Sequence, residues 1–93
     1  MDSNQQQIIE SARRDLAERL GVDPTEITEA SVEQAEFPDA ALGAPVEDEM
    51  SAQVITPGWR VRLIANGRTY EYRANENQLR LFNFNGKNYR IRA

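Results

Sequence analysis

Apolar side chains return at every fourth position between residues 8 and 20: Ile8, Ala12, Leu16 and Leu20, with Ile9 beside them. That spacing predicts an amphipathic helix with one buried stripe. Arg13, Arg14, Asp15, Glu18 and Arg19 fall mostly off the stripe, and Glu10–Arg14 and Asp15–Arg19 form i,i+4 pairs of favourable order. Ser3 or Asn4 is placed to cap the helix, with residues 1–6 expected to fray. Gly21 sits where a left-handed C-cap belongs, followed by Val22.

The pattern then changes period. "DPTE" at 23–26 reads as a turn, with Pro24 fixing φ. Residues 27–37 read as a strand whose alternation is imperfect. Ile27, Val32, Ala35 and Phe37 share a buried face only if a bulge intervenes. "QVIT" at 53–56 reads as a short strand, bent or interrupted by Pro57-Gly58. "WRVRLIANGRTYEYRA" predicts a hairpin around Asn66-Gly67, the preferred pair for a two-residue type I′ turn. That turn sets Leu63 opposite Tyr70, Val61 opposite Tyr72, Trp59 opposite Ala74 and Arg62 opposite Glu71.

A second hairpin surrounds Asn85-Gly86, with two possible registers. A two-residue turn places Phe82 opposite Tyr89. A three-residue loop with Gly86 in a bulge places Leu81 opposite Tyr89 and Leu79 opposite Ile91. The second is preferred because it gathers Leu79, Leu81, Tyr89 and Ile91 on one face. It leaves Phe82 and Phe84 for the other face or an edge. The expected fold class is α+β: an N-terminal helix packed across a four- to five-stranded antiparallel sheet, on a face made by Trp59, Val61, Leu63, Tyr70 and Tyr72. Residues 1–93 are expected to form a single domain, with a long loop at 38–52.

Composition narrows the chemistry more than the fold. The chain contains neither cysteine nor histidine. Disulfides, thiolate nucleophiles and the usual general base near neutral pH are therefore excluded. No calcium-loop, P-loop or dinucleotide-binding pattern occurs, so no metal or cofactor is expected. The expectation is a protein that is not an enzyme. No apolar run is long enough to insert into a membrane. A cytoplasmic location is favoured for the chain as given, and an exported one if a leader was removed. Charge is unevenly placed: residues 1–53 carry −10 and residues 54–93 carry +6.

"DLAERLGVDPTEI", "EFPDAALGAP" and "QVITPGWRVRLIANGRTYEYR" together resemble a family of small bacterial domains of unassigned function. Its members show a Trp-Pro-Asp-Gly-Ser-Leu-Gly-Cys-Pro loop followed by a Gln-Val-x-x-Pro-Gly-Tyr-Arg-Ile strand. The resemblance covers about residues 8–82 and is similar to PepSY and cystatin-like modules, which place a helix on a curled antiparallel sheet. It implies an interaction module, often exported or lipid-anchored. The family's loop cysteine falls at Ala44, its C-terminal cysteine near Phe82, and its loop glycine at Ala40. If those cysteines pair in exported relatives, their loss here suggests a reducing compartment.

Three stretches are candidates for contact. The loop "FPDAALGAPVEDEM" presents Asp39, Leu42 and Pro45 to a partner, or else crosses between strands with Leu42 plugging the core. Within it, Glu47-Asp48-Glu49 reads as a solvated tip. "QVITPGW", with Pro57 and Trp59, resembles the wedge by which cystatins enter cysteine proteases, although its spacing is wrong by one residue. The plainer reading puts Val54 and Ile55 in the sheet. Arginines of the second half, among them Arg60, Arg62 and Arg73, alternate with aromatics, as in single-strand nucleic-acid binders. They serve equally as partners for the acidic half of the same molecule. The expected function is a non-catalytic binding module for an unknown protein or peptide, in a monomer. Nucleic-acid binding is the first alternative and protease inhibition the second.

Overall fold

The computed structural model describes residues 3–92, with side chains from Gln5 onward. Helix α1 spans Ser3–Leu20. Both proposed capping residues lie inside it, and their side chains, like the fraying expected for residues 1 and 2, fall outside what is described. Ile8, Ile9, Ala12, Leu16 and Ala17 are buried, so the four-residue stripe is the inner face. Gly21 takes φ 70°, and the amides of Gly21 and Val22 both reach the Ala17 carbonyl. This is the expected left-handed termination. Asp15–Arg19 pairs as expected at 2.7 Å, but Glu10 pairs with Arg13 rather than Arg14.

A 3-10 turn at Pro24–Glu26 follows. The Asp23 side chain accepts from the Thr25 amide, and the Glu26 carboxylate accepts from the Asp23 amide. This reciprocal capping pins the corner between helix and sheet.

Five strands then form one antiparallel meander in chain order: β1 Thr28–Phe37, β2 Thr56–Ala65, β3 Arg68–Ala74, β4 Leu79–Phe84 and β5 Lys87–Arg92. The architecture is the expected α+β one. The first hairpin has the expected register throughout, including Leu63–Tyr70, Val61–Tyr72 and Arg62–Glu71. Asn66 and Gly67 both take positive φ, as a type I′ turn requires.

Three expectations need correction. Gln53–Ile55 is not a strand, and β2 runs unbroken through Pro57-Gly58. β3 ends at Ala74, opposite Trp59, so Pro57 lies where β2 has a single neighbour and a missing N–H costs no ladder bond. The bulge of β1 does occur, between Glu29 and Ser31, but it does not unite the four apolar residues on one face. Ile27 and Val32 join the helix-side core, while Ala35 and Phe37 share the opposite face with Gly58 and the sheet arginines.

In the second hairpin, Phe84–Lys87 closes a two-residue turn, and a separate bulge follows at positive-φ Asn83. Leu81–Tyr89 is nevertheless the expected pair, and Leu79 faces Arg92 instead of Ile91. The bulge reverses facing along β4. Phe84 therefore packs toward the helix beside Tyr70 and Tyr89, and Phe82 remains on the other face under Arg73.

The main core lies between α1 and the sheet, with Leu16, Val61, Leu63, Tyr72, Leu79 and Leu81 fully buried. Tyr72 solves the problem of a polar atom inside this core. Its hydroxyl donates to Asp15 Oδ2 at 2.7 Å, and Asp15 also accepts from Arg19. Burial first, then this bond, pushes the phenol far above its ordinary pKa. Tyr72→Phe is expected to lower stability by about 1.5 kcal/mol in denaturant titration, the worth of a hydrogen bond to a charged group.

Candidate functional site

The face of the sheet turned away from α1 is covered by the long loop. Residues 38–55 leave β1, cross over β3, β4 and β5, and return to β2, forming a strap. Asp39 organises its start: one carboxylate oxygen accepts from the amides of Ala41 and Gly43, each at 2.9 Å. The Ala40 amide donates to the Ala52 carbonyl and closes the base. Ala41, Leu42 and Ala44 are buried beneath the strap, and Phe37 lies beside them. Leu42 is thus a plug against the sheet and is not displayed to a partner.

Three side chains, two from the sheet and one from the corner before β4, hold the strap down. Arg73 donates to the carbonyls of Leu42 and Gly43, and stacks over the Phe82 ring at 3.7 Å. Gln78 donates to the Ala40 carbonyl. Arg80, which is buried, donates to the Ala44 carbonyl and forms a bidentate pair with Glu49 at 2.6 and 2.7 Å. From β5, Asn88 adds a bond to the Pro45 carbonyl. The paired guanidinium of Arg80 pulls the Glu49 carboxyl down from 4.5 to about 2, against its desolvation.

Glu49 is therefore an anchor and not part of a solvated tip, although Glu47 and Asp48 are exposed as expected. Sequence reading missed the Glu49–Arg80 latch because its two halves lie in different segments. The available hint was an arginine set between Leu79 and Leu81, where a strand otherwise rich in apolar residues turns a charge to the face away from α1.

The sheet arginines are largely occupied within the molecule. Glu71 takes Arg60, Arg62 and Arg73, while Arg62 also reaches Glu33. Paired in this way and partly roofed by the strap, the face is ill suited to an open phosphate track. Pro57 lies within β2 and not at a hairpin tip, so the cystatin-like wedge finds no support in the geometry. Val54 and Ile55, expected in the sheet, are exposed on the strap's return, as is Met50. Pro45 is exposed on the strap, and Asp39 is half-buried.

Two open features of the described residues matter most for a ligand. One is β1 itself, an edge strand of ten residues paired only with β2. The other is an open cleft of about 750 Å³ at the Phe37 end, lined by Gln34, Glu36, Pro57, Trp59 and the corner at 75–77. Among the described residues, no cluster of carboxylates has metal-binding geometry. Nor is any helix among them long and apolar enough to cross a membrane.

A family model described as a domain of unknown function (DUF8738) matches residues 9–92. The chain belongs to that family. The match takes in the helix from Ile9 onward, the strap with its anchors, and all five strands of this DUF8738 domain. No curated protein and no solved structure is found to match it.

Proposed function

We propose that this DUF8738 domain is a non-catalytic interaction module that takes an extended segment of another protein along β1. The observation that carries this reading is the ten-residue edge. Its outward backbone groups have no partner strand, and an added strand satisfies them. The other edge, β5, is shorter and tied to the strap through Asn88, which makes it the poorer template. The residue inventory agrees: without histidine or cysteine, the chain lacks the ordinary general base and nucleophile.

A random peptide library displayed against the immobilised domain tests the reading. The best binder is expected to slow amide exchange along residues 28–37. Slowing confined to the strap or α1, or a library that yields no binder, would overturn it.

A further inference from the structure

We infer that the segment taken up along β1 is basic, and that one of its arginine or lysine side chains enters the cleft between Trp59, Glu36 and Glu76. This deepens the edge-strand reading and rests on it.

Charge along the edge favours a basic segment. Glu29, Glu33 and Glu36 are exposed along β1, and Glu26 precedes it. Most other buried or half-buried carboxylates have internal partners: Asp15 has Arg19, Glu71 has three arginines, and Glu49 has Arg80 and Arg90. Glu33 is held by Arg62. Among the described residues, Glu29, Glu36 and Glu76 form no ion pair. The molecule thus satisfies its interior charge and leaves negative charge along the edge. A second β1 pairing antiparallel there would set glutamates beside glutamates, which is unfavourable. The same row that repels a copy of itself favours a strand bearing cations.

The shape of the cleft favours a long cationic side chain. β2 continues past its last pair with β3, Trp59–Ala74, so the β1–β2 ribbon overhangs the rest of the sheet. The notch below the overhang is lined by Trp59, by Glu36 from β1, and by Glu76 from the corner after β3. A cation beside an indole ring and between two carboxylates is attracted by each of them. A strand added to β1 lies about 4.8 Å from it. A long cationic side chain on the α1 face of that strand crosses β1 to reach Trp59, which a short one does not.

The test uses a ten-residue peptide of alternating valine and arginine, with a valine–glutamate peptide as its counterpart. Binding is read from the emission of Trp59, the only tryptophan, and from amide exchange. The arginine peptide is expected to bind, to change Trp59 emission, to slow exchange along β1, and to weaken as salt rises. The double variant Glu36→Gln with Glu76→Gln is expected to lower its affinity roughly tenfold. Glu18→Gln, on the outer face of α1, leaves the affinity unchanged.

Equal binding of both peptides with slowed β1 exchange would overturn the basic preference and leave the edge reading standing. Binding of the arginine peptide without slowed β1 exchange would overturn both, and so would failure of both peptides to bind. An unchanged affinity in the double variant would overturn the assignment of the cleft.

Discussion

Glu49→Gln is expected to destabilise the protein by about 3 kcal/mol, a large share of what a domain of this size possesses. The reason lies with its partner. Arg80 is buried, so loss of the carboxylate strands a charge that water cannot reach. Arg90, at 3.4 Å and half-exposed, loses little by comparison. Adding Arg80→Met to Glu49→Gln is expected to restore much of the loss, because the stranded cation is removed with it. Urea titration of the two single variants and the double variant measures the coupling. A strap that merely rests on the sheet would give a loss below about 0.5 kcal/mol for Glu49→Gln.

The latch also sets a pH dependence. The folded-state pKa of Glu49 is about 2, below its ordinary 4.5. Such a group favours the folded state fully above 4.5, and its contribution falls away as pH drops from there toward 2. Wild-type stability is expected to decline across that interval, and the Glu49→Gln variant to decline less.

The second large effect is expected from the smallest change, Gly58→Ala. A Cβ built at Gly58 would overlap the carbonyl oxygen of Ala74 and stand 3.2 Å from the Phe37 ring. The first neighbour is backbone in the adjacent strand and cannot rotate away. Either β2 and β3 separate or Phe37 leaves its place, and a cost of about 3 kcal/mol follows. The melting temperature of the variant checks it. Gly58 sits beside the cleft, so amide exchange in residues 73–77 is expected to quicken in the same variant.

Elements with a local cause were legible in the chain. The stripe from Ile8 to Leu20 placed the helix, and Asn66-Gly67 fixed a seven-residue register through turn geometry alone. The second corner shows where such reasoning stops. Two successive irregularities, a turn at Asn85-Gly86 and a bulge at Asn83, offset each other and return Leu81 to Tyr89. A single larger loop gives the same pairing, so periodicity does not separate the two. Phe37 was misplaced because apolar character was equated with one interior. The sheet buries residues on both sides, and nothing within 27–37 says which cover a given side chain meets. The cover over Phe37 is a loop with few large apolar residues, held by Arg73, Gln78 and Arg80 through carbonyls that carry no side-chain signature. In the sequence Pro57 signals a bend or interruption of a strand. It sits in the overhang of β2, and the overhang depends on where β3 ends, more than fifteen residues later in the chain.

The strap begins at β1 and ends at β2, yet its fastenings are on β3, β4 and β5. It therefore couples the margins of the sheet that are farthest apart. Unzipping the C-terminal hairpin removes the Asn88, Arg90 and Arg80 attachments, which together hold this part of the strap. Amide protection at Val46 and Glu49 should accordingly disappear in step with that of residues 87–92, as one cooperative opening unit spanning some forty positions of chain.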